Sequence, residues 1–239
     1  MVYEQKWDVR IAEVDTKLNM KFTGILEAFQ EVATIQFENM GFGIRNRNED
    51  TPAVIILDSK VNIKRVPKWN ETITVRTWCN ELNRIYCYRN FEILDEQQNV
   101  IVTGLNKLVL LDLTSRKIKR IDEKVKQDIE LNDKFLYDNN IKSIEIPEGE
   151  GTETIQIIRN KDIDINGHVN NVSFVEIALN ALSREQYKNL DKMNLDVSYK
   201  KECKNQQKLR CIVHENNNEY VIVIKDTEED ITHAIIRLY

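Results

Sequence analysis

Cysteine, proline and glycine are all scarce in this sequence. Its 239 residues include 3 Pro, 7 Gly and four cysteines, which stand in two pairs, Cys79 with Cys87 and Cys203 with Cys211. Neither pair has the Cys-x-x-Cys or mixed Cys/His spacing of a metal site. We therefore expect reduced thiols, no metal, no cofactor and a cytoplasmic location.

The sequence also lacks long apolar runs and an excess of basic charge. No run approaches the roughly 18 apolar residues of a membrane span, so we predict no membrane-spanning segment. The N-terminal segment MVYEQKWDVR has no apolar core of the kind found in signal peptides. The net charge is −5, which argues against nucleic acid as the main partner. Abundant Asn, Lys and Ile indicate an AT-rich bacterial source.

The first half of the chain combines one long helix with a series of strands. Between Lys21 and Met40 apolar residues recur with the period of an α-helix, and Gly41 is suited to end it. Such a helix followed by an antiparallel meander predicts the α+β class. The predicted strands lie at Tyr3–Val14, Ala53–Lys64, Glu71–Glu81, Ile85–Leu94, Val100–Leu113 and Lys117–Ile121.

The second half repeats this order after a charged, irregular segment. Residues 123–151 are typical of a linker with one short helix, and a second long helix is predicted at Val169–Ser183. We therefore predict an N-terminal unit at 1–122, a linker at 123–151 and a C-terminal unit at 152–239. The strands predicted in the second unit lie at Thr152–Ile158, Asn194–Tyr199, Lys208–Val213, Tyr220–Ile224 and Thr232–Leu238.

The two halves can also be aligned residue by residue. Subtracting 149 places Arg159 on Arg10 and Asp164 on Asp15. Past the helix, an offset of 136 aligns the segment VSYKK, which begins at Val197, with VNIKR in the first half. Identities are few, so a chance match is the alternative, but the shared order of elements favours a duplication.

One polar segment, RNKDIDINGHVNN at Arg159–Asn171, concentrates groups suited to chemistry directly ahead of the second helix. Asp164, Asn166 and His168 alternate, so an extended segment would place all three on one side. The backbone N–H groups of Val169 and Asn170, at the helix N-terminus, are candidate oxyanion donors. The alternative is a polar loop whose Asp and Asn side chains only cap the helix.

The first half lacks these groups at the matching positions. It has Lys17 and Asn19 where the second half has Asn166 and His168. It has Val66 and Pro67 where the second half has an acid and a cysteine, Glu202 and Cys203. If the set only capped a helix, both halves should do equally well with similar residues. The difference indicates a single working site in the second half.

The duplication and these motifs resemble the acyl-acyl carrier protein (acyl-ACP) thioesterases. The resemblance covers nearly the whole chain and rests on Arg159–Asn171 and on YKKEC at Tyr199–Cys203, with a looser likeness in RVPKWNETITVRTW at Arg65–Trp78. It implies a tandem (double) hotdog, in which each unit is an antiparallel β-sheet wrapped around one long α-helix. It also implies hydrolysis of fatty acyl-ACP to free fatty acid, which terminates fatty acid synthesis.

The resemblance assigns candidate roles in the second unit. The family's Asp-x-Asn-x-His set falls on Asp164, Asn166 and His168, its later acid on Glu202 and its cysteine on Cys203. Glu202 and His168 would position or deprotonate water, and Asn166 would orient the carbonyl or the water. Asp164 would hold the end of the helix, with direct attack as the alternative. Cys203 is either a nucleophile or, the commoner role, a buried core residue.

The remaining expectations concern partners. The first unit, without a catalytic set, would hold the acyl chain, but its length and saturation are not readable from the sequence. The expected partner is acyl carrier protein, which is acidic and would dock on a basic cluster of a monomer or homodimer. Two other functions remain open: an acyl-CoA thioesterase on the same fold, and a non-catalytic acyl-thioester-binding protein. The other histidines, His214 and His233, lie in strand-like runs without carboxylates at motif spacing, and we expect surface or sheet positions for both.

Overall fold

The computed structural model describes residues 1–45, 51–139, 141–190, 193–204, 208–217 and 219–239. The chain forms two compact units. One comprises Met1–Leu57 and Val61–Ile141, and the other comprises Asp58–Lys60 and Lys142–Tyr239. Among the described residues, no helix combines the length and apolar character needed to cross a membrane.

The first unit is a sheet with one long helix. Its strands are β1 (Tyr3–Asp8), β2 (Ala53–Ile63), β3 (Thr72–Leu82), β4 (Tyr86–Leu94), β5 (Val100–Asp112) and β6 (Lys117–Lys119), and its helices are α1 (Phe22–Asn39) and α2 (Glu123–Asp128). The strands follow the order β1-β3-β4-β5-β2 in the sheet, with β6 paired to β5. The predicted long helix and the predicted strands of this unit are confirmed to within a few residues, except for the end of the first strand.

Helix α1 packs directly on the middle of this sheet. The ring of Phe29 stacks on Phe91 of β4, with centroids 4.5 Å apart. A Cβ atom at Gly104 of β5 would lie 2.5 Å from Cε2 of Phe29, so only glycine lets the helix approach this closely. The helix ends at Asn39 and is followed by Gly41 with φ +83°, a conformation that favours glycine.

The second unit has the same plan. Its strands are β7 (Thr152–Ile157), β8 (Leu195–Tyr199), β9 (Lys208–Asn216), β10 (Glu219–Asp226) and β11 (Thr232–Leu238), and its helices are α3 (Asn171–Asn180) and α4 (Arg184–Lys188). The strands follow the order β8-β11-β10-β9-β7, and each neighbouring pair is antiparallel. Helix α3 packs against β10 and β11.

Two boundaries predicted from the sequence are wrong. The strand predicted at Tyr3–Val14 ends at Asp8, because Glu13 turns its carboxylate back to the N–H of Arg10 (2.8 Å) and closes a short 3₁₀ turn. The helix predicted at Val169–Ser183 spans only Asn171–Asn180, and the separate helix α4, capped by Ser183, was missed.

The segment 123–151 packs against the units. Val125 and Ile129 are buried in one core cluster with Cys79 and Cys87 of the first unit. Ile144 packs against the buried cluster of Val221, Val223 and Ile235 in the second unit. Apolar residues within a charged segment therefore cover a sheet face in each unit.

Candidate functional site

Residues Asp164–His168 form a tight turn, not the extended segment predicted from the alternation of side chains. The N–H of Asp164 donates to the carbonyl of His168 (2.8 Å), and the N–H of Gly167 donates to the carbonyl of Asp164 (3.0 Å). Gly167 has φ +78°, which suits glycine. Asx and glycine residues favour a turn over an extended strand.

The carboxylate of Asp164 holds this turn together. Its Oδ1 accepts the N–H groups of Asn166 (2.8 Å) and His168 (3.3 Å), and its Oδ2 accepts the side-chain amide of Asn166 (3.1 Å). Asp164 therefore fixes both of the other residues in the motif. This arrangement favours the predicted role in holding local geometry over direct attack on the substrate.

The first unit makes the same turn at the aligned positions. The N–H of Asp15 donates to the carbonyl of Asn19 (2.8 Å), and Oδ1 of Asp15 accepts the N–H groups of Lys17 (2.8 Å) and Asn19 (3.0 Å). Leu18, which aligns with Gly167, has φ +63°. These matching hydrogen bonds support the duplication inferred from the sequence. They also show that the turn itself belongs to the fold, whereas Asn166 and His168 are particular to the second unit.

The predicted oxyanion donors, Val169 and Asn170, are already engaged. The N–H of Val169 donates to the carbonyl of Cys203 (2.8 Å), and the N–H of Asn170 donates to the carbonyl of Asp162 (2.8 Å). The side chain of Asn170 accepts the N–H of Val172 (2.8 Å) and caps α3. The prediction that the first two groups bind an oxyanion is therefore wrong, because both serve to join the loop to its neighbours.

The bond from Val169 to Cys203 brings two distant parts of the motif together. His168 forms an isolated antiparallel bridge with Lys204, which lies just beyond that bond. As a result, Nε2 of His168 lies 3.5 Å from Oε2 of Glu202. The structure thus brings Asp164, Asn166, His168 and Glu202 together.

Glu202 lies at the edge of a cleft within the second unit. The cleft has a volume of about 480 Å³. The side chain of Glu202 is 42% exposed, so water and a small polar group have access to it. An imidazole beside a solvent-accessible carboxylate can accept a proton from water and later return it. Among the lining residues are Lys201, Glu202, Lys204, Lys208, Asp226 and His233.

Cys203 lies next to Glu202 but is 1% exposed. Its Sγ lies 3.8 Å from the carbonyl oxygen of Lys204. Burial raises the pKa of the Cys203 thiol to about 11. A thiol with this pKa is protonated at neutral pH, so its environment favours the core role over the nucleophile.

His233 lies in strand β11, a sheet position as expected, but it has a nearby carboxylate that motif spacing did not indicate. It is 3% exposed, and its Nδ1 lies 3.1 Å from the carbonyl oxygen of Lys201. Its Nε2 lies 3.9 Å from Oδ2 of Asp226, on the neighbouring strand β10. The sequence reasoning missed this residue because Asp226 is brought to it only by the β10–β11 hairpin. His214 of β9 is half-buried.

The described residues contain no cluster of three or more His, Cys, Asp or Glu side chains that could hold a metal ion. The four cysteines all lie in the described part of the chain, and none of them forms a disulfide bond.

Each of the two units has a sheet and one long helix, which defines a tandem hotdog. Only one unit has an Asp-Asn-His turn facing a glutamate, so the protein has a single acid–imidazole site. The family model of the acyl-ACP thioesterase N-terminal domain matches residues 1–129, and that of the C-terminal domain matches residues 146–237. The chain therefore belongs to the acyl-ACP thioesterase family, and the resemblance stated from the motifs is confirmed.

Curated plant proteins are similar over most of this chain. An oleoyl-acyl carrier protein thioesterase of Arabidopsis thaliana is 25% identical over 84% of the chain and 59% of its own length. An acyl-[acyl-carrier-protein] hydrolase of Cuphea viscosissima is 20% identical over 88% of the chain and 54% of its own length. The chain thus spans little more than half the length of the curated relatives it matches.

Solved structures confirm the tandem hotdog of the α+β class. An acyl-ACP thioesterase from Bacteroides thetaiotaomicron has a TM-score of 0.87 at 19% identity and covers 99% of this chain and 96% of its own. A 12:0-ACP thioesterase from Umbellularia californica has the same TM-score at 18% identity, with the same coverage. At these identities the likeness shows the fold alone.

Proposed function

We propose that this protein is a thioester hydrolase that releases free fatty acid from acyl-ACP. The observation that carries the proposal is the pair formed by His168 and Glu202, whose reactive atoms lie 3.5 Å apart. This pair is present in one unit and replaced by Asn19 and Val66 in the other. The family membership and the names of the curated relatives support acyl-ACP as the substrate.

The reaction follows from the chemistry of this pair. A water molecule held between Glu202 and His168 attacks the thioester carbonyl carbon and gives up a proton to the pair as the new C–O bond forms. The tetrahedral intermediate then expels the carrier thiolate by cleavage of the C–S bond, and the retained proton passes to sulfur. The products are a fatty acid and the free thiol of the carrier.

Asn166 is the proposed partner of the substrate carbonyl. Its side-chain NH₂ group has two donor hydrogens, and one is directed to Oδ2 of Asp164 (3.1 Å). The bond to Asp164 fixes the orientation of the amide, which we propose donates to the developing oxyanion. A donor held in advance stabilises that charge without reorganisation.

Charge near the site supports an acidic carrier as partner. Lys200, Lys201 and Lys204 are exposed and flank Glu202. An acidic protein would be attracted to this cluster in a salt-dependent manner. Four cysteines outside any disulfide bond support a cytoplasmic site of action, and a monomer or homodimer is proposed.

A panel of acyl-ACP substrates of graded chain length tests the proposal. The protein should release free thiol from at least one of them, and faster than from the matching acyl-CoA. Faster turnover of acyl-CoA would favour the alternative of an acyl-CoA thioesterase. Binding without hydrolysis at any chain length would contradict the enzyme and favour a non-catalytic acyl-thioester-binding protein.

A further inference from the structure

A buried imidazole supports the segment that carries Glu202. His233 lies on β11, and its Nδ1 is 3.1 Å from the carbonyl oxygen of Lys201. Because a carbonyl oxygen can only accept, Nδ1 must carry the proton. The peptide group directly before Glu202 is therefore held by a side chain as well as by the sheet.

The first unit shows that the fold itself does not need this imidazole. The N–H groups of Lys200 and Lys201 both donate to the carbonyl of His233, at 2.8 and 3.2 Å. In the first unit, the N–H groups of Lys64 and Arg65 both donate to the carbonyl of Ile101, at 2.9 and 3.2 Å. The backbone junction is the same, and both central side chains are buried, His233 at 3% exposure and Ile101 at 4%. In the first unit, which has no catalytic set, Ile101 thus occupies the position that His233 occupies in the second unit.

The surroundings of His233 fix the orientation of its ring. The ring of Phe174 on α3 stacks against it, with centroids 6.4 Å apart and planes within 20°. On the other side, the carboxylate of Asp226 accepts the N–H groups of Glu228 (3.0 Å) and Glu229 (2.6 Å), which hold it 3.9 Å from Nε2 of His233. Within the described part of the chain, Nε2 has no hydrogen-bond partner. Among the described residues, Lys201 is therefore the hydrogen-bond partner of this buried ring, and Asp226 lies nearby without a hydrogen bond to it.

We propose that His233 is a positioning residue for Glu202. By holding the carbonyl of Lys201, it fixes the direction in which the next side chain leaves the backbone toward His168. A group that orients a functional side chain without touching the substrate can change the activity, as the partners of metal ligands do by about 10- to 100-fold. The inference rests on the proposed function, because Glu202 and His168 are the catalytic pair of that proposal.

The test compares two replacements of His233 in the full-length protein. His233→Ile installs the residue of the matching position and should fold, but kcat for acyl-ACP hydrolysis should fall by about 10²-fold, as expected for a displaced catalytic group, while KM changes little. His233→Asn keeps an N–H donor near the position of Nδ1 and should recover most of kcat. His214→Ile makes the same change on β9 and should leave kcat unaltered. Equal kcat in His233→Ile and wild type would overturn the proposal, and so would equal losses in His233→Ile and His233→Asn.

A double replacement separates positioning from general damage. If His233 acts through Glu202, then His233→Ile should add no further loss to a Glu202→Gln variant. The same loss in both backgrounds would overturn the proposal. If the wild-type protein hydrolyses no acyl-ACP, the proposed function fails, and crystal structures then decide the present inference. An unchanged separation of His168 and Glu202 in His233→Ile would overturn it, and a displaced Glu202 would support it.

Discussion

The Nε2 atom of His168 lies 3.5 Å from Oε2 of Glu202, and a separate restraint holds each residue in place. The N–H of His168 donates to Oδ1 of Asp164 (3.3 Å). The segment of Glu202 is joined to the loop by the bond from the N–H of Val169 to the carbonyl of Cys203. Contacts that the first unit shares therefore bring the two segments together. The chemistry comes from the imidazole and carboxylate side chains that only the second unit has at these positions.

Replacing Glu202 by Gln should abolish most hydrolysis while leaving the fold intact. Gln cannot accept a proton from water, and loss of a general base typically lowers the rate by about 10²- to 10⁴-fold. Because this side chain is 42% exposed, little packing is lost. The measurement is kcat/KM for acyl-ACP together with thermal unfolding. Glu229→Gln, which changes another carboxylate of the same cleft, is the control and should retain activity. Near-normal turnover of the Glu202 variant would remove this residue from the mechanism.

Asp164 should be replaceable by Asn but not by Ala. Asn keeps one oxygen, which can accept the N–H groups of Asn166 and His168, so the turn should remain. Only the bond from the side-chain amide of Asn166 to Oδ2 is lost, so part of the activity should remain. Ala removes this acceptor, so activity should fall and the free energy of unfolding should decrease by about 1 kcal/mol. The measurements are kcat and urea-induced unfolding.

The matched control for Asp164 is Asp15→Ala in the first unit. Because Oδ1 of Asp15 accepts the N–H groups of Lys17 and Asn19, this change should lower stability by a similar amount. Its turn carries no catalytic residue, so kcat should stay close to that of the wild type. If Asp164→Asn were as inactive as Asp164→Ala, the carboxylate itself would be required, and direct attack by Asp164 would become the better mechanism.

Cys203→Ala should retain near-normal turnover. The thiol is buried, and its pKa of about 11 keeps it protonated and weakly nucleophilic at neutral pH. Loss of the sulfur from a packed site should lower the free energy of unfolding by about 1 kcal/mol. Turnover of acyl-ACP and thermal unfolding are the measurements. A variant that folds normally and hydrolyses no substrate would establish Cys203 as the nucleophile.

The sequence predicted the composition of the site better than its geometry. Periodicity gave α1, and comparison of the two halves indicated that Asn166 and His168 are not needed for folding. The addition of Glu202 depended on the family resemblance, because nothing local connects it with His168. The alternation of side chains at Asp164–His168 suggested an extended segment. Asp and Gly instead favour the tight turn that the structure shows.

The part that sequence reasoning missed depends on strand pairing. His233 meets Lys201 and Asp226 only because β11 lies between β8 and β10, and a residue's neighbours across a sheet are not visible in a linear pattern. The N–H groups of Val169 and Asn170 were misassigned for the same reason. Each donates to a carbonyl from a different segment, so a helix N-terminus inferred from the sequence does not reveal which of its donors are already engaged.

Leu18 and Gly167 occupy aligned positions, and both have a positive φ angle. We predict that substitutions at these two positions change the free energy of unfolding in opposite directions. Leu18 has φ +63° and is 45% exposed, so it bears backbone strain with little burial to offset it. Leu18→Asn should therefore raise the free energy of unfolding, since Asn adopts this conformation more readily. Gly167→Val should lower it by about 1–2 kcal/mol. A Cβ atom at Gly167 would meet nothing within 4 Å, so the whole loss would come from the backbone. Urea-induced unfolding measures both changes, and shifts of the same sign would show that the two turns are not energetically equivalent.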